Sequence, residues 1–162
     1  MPCHLTEYLF SASEYLVLES NRFNGTVDVL ESMKNLTILL IRSNSFSGAL
    51  PDELFSGTFD NIFVDVGDNK LTGDLPASFA NMSNLVSLIG PKNSFTDSAT
   101  QLSVCGNMNT TTLVMDCDAC ECCEVCCDGE NDAVCDFQLL LVREQLINEI
   151  RQKLMAASRN TD

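Results

Sequence analysis

Eight of the nine cysteines in this 162-residue chain lie between residues 105 and 135, and their spacing offers the most definite chemistry in the sequence. The centre of the cluster reads C-x2-C-x-C-C-x2-C-C. Thiols at this density form disulfides in an oxidising compartment, whereas in a reducing compartment they bind a metal or exchange electrons. The eight are Cys105, Cys117, Cys120, Cys122, Cys123, Cys126, Cys127 and Cys135.

We predict that these eight cysteines form disulfides and that Cys3 is left over. A metallothionein-like metal cluster stays open as an alternative, although the C-x2-C pairs lie too close together for a zinc ribbon. A redox-active C-x-x-C is disfavoured, because the segment has no Lys or Arg that would lower the pKa of a thiol. We therefore predict no metal and no cofactor.

The segment from residue 105 to 136 is also acidic: it holds eight carboxylates and supplies −8 of the net charge of −14. Nucleic acids and anionic membranes attract basic surfaces, so the acidic charge argues against both as partners. No apolar run approaches the length that spans a bilayer. His4 is the only histidine, and neither a phosphate-binding glycine loop nor a nucleophile elbow occurs. We predict no catalytic residue and no enzymatic activity.

The cysteine cluster follows an internal repeat, which must build the elements that position the other residues. The unit recurs around Asn21, Asn44 and Asn69 and decays around Asn93, at steps of 23, 25 and 24 residues. In each full unit, apolar residues lie five and three positions before the asparagine and two after it, and a glycine lies four after it. The most complete unit contains Leu36, Leu39, Ile41, Asn44, Phe46, Gly48, Leu50 and Pro51.

Each unit predicts one short strand, because its apolar residues before the asparagine alternate along the chain. One unit cannot bury its own apolar face, so the copies must stack into a parallel sheet of three or four strands. The stacked asparagines are expected to form a ladder of hydrogen bonds to backbone groups. The predicted core consists of Leu16, Leu18, Phe23, Leu39, Ile41, Phe46, Leu50, Leu54, Val64, Val66, Leu71, Leu75, Leu88 and Phe95.

The spacing L-x-x-L-x-L-x-x-N-x-F/L-x-G-x-L-P resembles the plant-type leucine-rich repeat. Together with the cysteine cluster it resembles certain algal leucine-rich-repeat proteins that end in a cysteine-rich cap, and it departs from the usual plant cap, a simple pair of cysteines. The resemblance implies an α/β repeat solenoid: a short leucine-rich-repeat array with a parallel concave sheet, a cysteine-rich C-terminal cap and a C-terminal helix. It implies little about function, because one fold hosts many functions.

The chain divides into repeats over residues 1–104, an acidic cysteine-rich cap over 105–136 and an amphipathic helix over 137–162. Pro2 and Leu5 stand in repeat register, so we expect a fragment of a longer solenoid, and no signal peptide is visible. We expect the helix to pack on the end of the solenoid; a coiled coil or a membrane-surface helix stays open. Its predicted apolar stripe is Leu139, Leu140, Val142, Leu146, Ile147, Ile150, Leu154 and Met155.

Residues that alternate with the core residues point to the concave face, where six of twelve positions are large and apolar. Such a patch on adjacent strands is typical of a docking surface for a protein or peptide, unless a terminal segment folds over it. Glu19 and Arg42 are expected to pair at its rim. The predicted partner-binding residues are Tyr15, Val17, Ile38, Leu40, Arg42, Phe63, Asp65 and Ile89.

These features predict a non-catalytic protein- or ligand-binding, receptor-like module of a secreted or cell-surface protein. Two other functions stay open: a structural wall or matrix protein in which the repeats are a spacer, and a thiol-metal-binding protein. Four Asn-x-Ser/Thr sequons add the expectation of glycosylation on the secretory route. They begin at Asn24, Asn35, Asn81 and Asn109.

Overall fold

The structure, a computed structural model, describes residues 13–57, 62–96, 112–116, 118, 123, 125–127 and 132–159. In these residues, short strands alternate with turns and two 3₁₀ helices, Asp28–Ser32 and Ala77–Asn81, and one long helix, α1 (Asp132–Arg159), ends the series. The strands are β1 (Tyr15–Val17), β2 (Asn24–Thr26), β3 (Ile38–Leu40), β4 (Ser45–Gly48), β5 (Ile62–Asp65), β6 (Lys70–Gly73), β7 (Leu85–Ile89), β8 (Ser94–Phe95), β9 (Thr112–Asp116) and β10 (Val125–Cys127).

The larger sheet contains six parallel strands in the described residues, in the order β1-β3-β5-β7-β9-β10. Each repeat adds one strand beside the previous one, so equivalent residues stand in rows across the sheet. The row on the core side is fixed by the register and consists of Leu16, Leu39, Val64, Leu88 and Leu113. All five are buried. The predicted α/β solenoid is confirmed.

A second parallel sheet joins β2, β4, β6 and β8, the strands that follow each asparagine. The glycines four positions after the asparagines have positive φ angles: Gly25 at 106°, Gly48 at 85° and Gly73 at 77°. Residues with a Cβ resist these angles, whereas glycine adopts them readily. The glycines therefore let the chain turn out of this sheet in each of the three full repeats.

The predicted asparagine ladder is confirmed. Asn44 accepts a hydrogen bond from the backbone N–H of Phe23 at 3.0 Å and donates to the carbonyl of Leu18 at 2.8 Å, both in the preceding repeat. The backbone N–H groups of Phe46 and Leu71 donate in the same way to the next two asparagines, at 3.0 and 2.9 Å. Each repeat thus satisfies backbone groups that the turn of its neighbour leaves open.

The core lies between the two sheets and the connecting segments that contain the 3₁₀ helices. Twelve of the fourteen predicted core residues are buried, and Leu18 and Phe23 are partly buried against them. The prediction missed several other core residues on the connecting segments, because these do not recur at fixed offsets in every unit. They include Leu30, Met33, Phe55 and Phe79.

The sheet is longer than predicted, since β9 and β10 come from the segment assigned to the cysteine-rich cap. Leu113 follows Leu88 by 25 residues, a step within the range of the earlier repeats. At this end of the sheet the carboxylate of Asp116 accepts hydrogen bonds from the backbone N–H groups of Lys92 and Asn93 at 2.7 and 3.2 Å. In the earlier repeats the equivalent N–H groups donate to backbone carbonyls of the next repeat. The cysteine-rich segment therefore contributes strands to the sheet, and α1 begins at Asp132 rather than at the predicted residue 137.

Candidate ligand-binding face

The concave face is the side of the larger sheet that points away from the core. Because side chains alternate along each strand, two rows of residues lie on it. One row is Tyr15, Ile38, Phe63, Ser87 and Thr112. The other is Val17, Leu40, Asp65, Ile89 and Val114.

Helix α1 packs over this face. Leu146 and Ile150 of the helix are 5% and 9% exposed, and they belong to a second buried cluster, separate from the main core. Tyr15, Val86 and Val142 lie at the margin of that cluster and are partly buried. The sheet contributes Ile38, Leu40, Phe63, Ile89, Val114 and Cys127.

The prediction that the apolar strip of the concave face meets water is therefore wrong for its central residues. Ile38, Leu40, Phe63 and Ile89 are 0% to 8% exposed. The expected position of the helix, on the end of the solenoid, is wrong for the same reason: a broad apolar face offers the helix more area to bury than a single terminal repeat does. The side chain of Val17, in contrast, is 57% exposed, so the β1 edge of the face stays open.

An arginine of the helix forms ion pairs with two carboxylates of the solenoid. The Nε of Arg143 donates to Oδ2 of Asp65 at 2.9 Å, and its Nη2 donates to Oε2 of Glu19 at 2.7 Å. The expected pair between Glu19 and Arg42 is not formed. Arg42 instead lies 3.5 Å from Oδ1 of Asp65, so this carboxylate stands between two guanidinium groups.

Asp65 is the buried polar centre of the face, with a side chain that is 1% exposed. Burial raises the pKa of its carboxyl above the usual range, because a charge loses its hydration there; Arg42, Arg143 and the backbone N–H of Gly67 oppose this shift. That N–H lies 3.2 Å from Oδ1. Gly67 also leaves room for the guanidinium, since a Cβ at this position would collide with Nη1 of Arg42.

A cavity of about 100 Å³ remains between the helix and the strands β7 and β9. It is lined by Val86, Ser87, Thr112, Val142, Gln145, Leu146 and Glu149. The hydroxyl of Ser87 is buried and makes no hydrogen bond within the described structure. A cavity of this size and polarity accommodates ordered water, which would supply the missing hydrogen bond.

Only part of the predicted apolar stripe of the helix is used. Val142, Leu146 and Ile150 lie on the packed side of the helix, as predicted, although they contact the sheet rather than the end of the solenoid. Leu140, Ile147 and Met155 are 53%, 40% and 50% exposed, so their assignment to the packed face is wrong. Arg143, which does not belong to the predicted apolar stripe, also lies on the packed side. The side chains of Leu139 and Leu154 lie outside the described residues.

The structure places three cysteines of the cluster, Cys123, Cys126 and Cys127, in disulfide bonds. Cys135 lies within α1, and Asn81 ends the second 3₁₀ helix. Of the other sequons, Asn24 and Asn35 are exposed. The predicted residues outside the described part of the chain are Cys3, His4, Cys105, Cys117, Cys120, Cys122 and Asn109.

Within the described ranges, no group of three or more His, Cys, Asp or Glu side chains is arranged to hold a metal ion. A cleft of about 470 Å³ beside the second sheet is nevertheless acidic, since five carboxylates line it: Asp28, Glu31, Asp52, Glu53 and Asp74. The described helices include none that is long and apolar enough to cross a membrane.

Comparison with known proteins agrees with this fold. The family model named Leucine Rich Repeat matches residues 35–56. Receptor-like protein 35 of Arabidopsis thaliana is 39% identical over 72 residues, which are 43% of this chain and 7% of that protein. The chain therefore spans a small part of the length of this curated relative.

Two solved structures are similar over about two thirds of this chain. The crystal structure of PEPR1-AtPEP1 has a TM-score of 0.55 and 28% identity, and the match covers 65% of this chain and 15% of that chain. The plant peptide hormone receptor RGFR1 in complex with RGF2 has a TM-score of 0.50 and 25% identity, over 63% and 17% of the two chains. The protein thus contains a leucine-rich-repeat module that resembles plant receptor proteins in sequence and in fold.

Proposed function

We propose that the chain is a non-catalytic binding module of a secreted or cell-surface protein, and that its concave face binds a protein or peptide ligand. The similar receptor RGFR1 is a peptide hormone receptor solved in complex with RGF2, and the curated relative is a receptor-like protein. Both likenesses support a receptor-like role for this module.

One observation carries the proposal: the concave face already accommodates an amphipathic segment, α1. The segment contributes apolar side chains, Leu146 and Ile150, to a buried cluster and an arginine to Asp65. Peptides are commonly recognised in this way, through apolar anchors in a groove together with a few oriented polar groups. The face therefore has the chemistry that a peptide ligand requires.

A secreted or cell-surface location also accounts for the cysteines and the sequons. We propose that all eight cysteines of the cluster form disulfides and that Asn24, Asn35, Asn81 and Asn109 are glycosylated, both of which belong to the secretory route. The partner-binding residues proposed here are Tyr15, Val17, Ile38, Leu40, Arg42, Phe63, Asp65 and Ile89. The proposal includes no nucleic acid partner, no metal and no cofactor.

The test is selection of ligands for the full chain from a displayed library of random 20-residue peptides, followed by calorimetry with the synthetic peptides. Val17→Asp changes an exposed residue at the open edge of the face. It should weaken binding of the selected peptides by at least ~10-fold. The control is Thr72→Asp, an exposed strand residue in the second sheet, which should leave binding unchanged.

Two results would contradict the proposal. One is that no peptide is selected, which would favour a structural spacer. The other is that selected peptides bind Val17→Asp and Thr72→Asp with equal affinity, which would place the ligand elsewhere on the molecule.

A further inference from the structure

The helix on the concave face is held by a small set of side chains. Leu146 and Ile150 are buried, Val142 is half-buried, and Arg143 forms two ion pairs. Burial of a single leucine favours docking by ~10-fold to ~100-fold. A helix held in this way can leave the face when another ligand offers the same contacts, since its docking is a matter of relative affinity.

The outward side of the same helix is apolar as well. Leu140 and Leu141 are 53% and 51% exposed, and Ile147 is 40% exposed. Release of the helix therefore changes the exposure of only one of its two apolar sides. The free energy of docking therefore comes from the side that packs on the sheet, since the outward side is exposed whether the helix is docked or released.

The solenoid keeps a prepared carboxylate when the helix leaves. Asp65 retains Arg42 at 3.5 Å and the N–H of Gly67 at 3.2 Å, both of which belong to the solenoid. Arg143 of the helix adds a second cation to the same carboxylate at 2.9 Å. It also forms an ion pair with Glu19 at the rim of the face. A ligand with an arginine or lysine would replace Arg143 at these two carboxylates.

We infer that α1 is an internal ligand, which occludes the concave face until an amphipathic, arginine-bearing peptide with the same chemistry displaces it. This inference rests on the proposed function and adds its regulation and the class of its partner. The partner presents apolar residues about four positions apart, as Val142, Leu146 and Ile150 do, with a cation beside the first of them. The net charge of −14 favours the approach of a cationic peptide.

The probe for the test is a fluorescent synthetic peptide with the sequence of residues 137–158, added to the intact chain in trans. In the wild-type chain, the internal helix competes with it, so the apparent affinity is reduced by the fraction of molecules with an open face. Leu146→Asp, which places a charge in the buried contact, should bind the peptide at least ~10-fold more tightly than wild type.

Neighbouring residues supply the matched control. Ile147→Asp introduces the same charge on the exposed side of the same helix, so it should bind the peptide as wild type does. Hydrogen exchange of each variant should show faster exchange in α1 of Leu146→Asp, with β3 and β5 as protected as in wild type.

A milder pair of substitutions keeps the test valid if Leu146→Asp unfolds the solenoid. Arg143→Gln removes both ion pairs, whereas Arg151→Gln changes an exposed arginine of the same helix. Arg143→Gln should bind the peptide ~3-fold to ~10-fold more tightly than Arg151→Gln.

Equal peptide affinity within both pairs overturns the inference. If the library-selected peptides still bind in a manner sensitive to Val17→Asp, the proposed function survives and only the internal-ligand role fails. If neither the helix peptide nor the selected peptides bind, the proposed function fails as well.

Discussion

The two faces of the larger sheet are both apolar and both buried, yet different parts of the chain cover them. On the core side, Leu39 and Val64 pack against segments of the repeats themselves. On the concave side, Leu40 and Phe63 pack beneath α1, which begins at Asp132 and is far away in sequence. The comparison teaches that burial alone does not separate structural residues from binding residues. The two kinds of residue are separated by the part of the chain that covers them. A repeat cannot leave its own core, whereas a helix outside the repeats can leave the face on which it packs.

The two faces should differ most in the free energy of unfolding that is lost when Leu39 or Leu40 is replaced by alanine. Leu39→Ala leaves a cavity in the rigid core and should lower the free energy of unfolding by about 2–5 kcal/mol. Leu40 is 8% exposed, and α1 can settle towards the smaller residue, so Leu40→Ala should lower it by about 1–2 kcal/mol. Urea denaturation followed by circular dichroism measures both. Equal losses would mean that the helix is as rigidly packed as the core.

The asparagine ladder sharpens the comparison, because it belongs to the core side alone. Asn69→Ala leaves the N–H of Phe46 without its side-chain partner. It also removes one of the two side-chain amides that donate to the carbonyl of Ile41, the other being that of Asn44. The free energy of unfolding should fall by about 2–3 kcal/mol. Within the described residues, the side chain of Asn21 donates to carbonyls of its own turn, those of Leu18 and Glu19. Asn21→Ala should therefore have a smaller effect in the same assay.

The sequence was sufficient for the core side and insufficient for the concave side. Asn44, Asn69 and their apolar neighbours recur at fixed offsets, and a recurring offset translates directly into a row of a parallel sheet. The pairing of Arg143 with Asp65 joins residues that are 78 positions apart, and no periodicity relates them. Sequence reasoning identified the apolar strip and the helix separately, but nothing in their spacing brought one onto the other.

The strands β9 and β10 were missed for a different reason. The step of 25 residues from Leu88 to Leu113 was a usable signal. It was obscured because Asp118 stands five positions after Leu113, where the earlier repeats have an asparagine, and because the cysteines dominate the local composition.

Gly67→Ala tests the arrangement around the buried carboxylate. The added Cβ would collide with the guanidinium of Arg42 and lie 3.2 Å from the carbonyl oxygen of Pro91. Arg42 would have to move away from Asp65, and we expect the free energy of unfolding to fall by about 1–3 kcal/mol. Calorimetric unfolding measures the loss. A melting temperature equal to that of wild type would show that Arg42 is free to relocate without consequence.

The smallest expected effect is a change in proton affinity. Arg42 favours the charged form of Asp65, so Arg42→Met should raise the pKa of this carboxyl further. The unfolded chain titrates near the ordinary value of about 3.9. Because the folded state then holds the proton more tightly, stability falls as the pH rises from that value through the raised pKa, and it falls further in the variant. Carbon-13 NMR of the Asp65 carboxyl over a pH series gives the shift; a lower pKa in Arg42→Met would contradict the prediction.

The central claim is that α1 covers the concave face, and methyl NOE spectroscopy of the full chain tests it most directly. The structure predicts cross-peaks from the methyl groups of Leu146 and Ile150 to side chains of the concave cluster, Ile38, Phe63 and Ile89 among them. It predicts none to these residues from the methyl groups of Ile147, which is 40% exposed on the other side of the helix. Cross-peaks confined to the helix itself, with none from Leu146 or Ile150 to the sheet, would contradict the account.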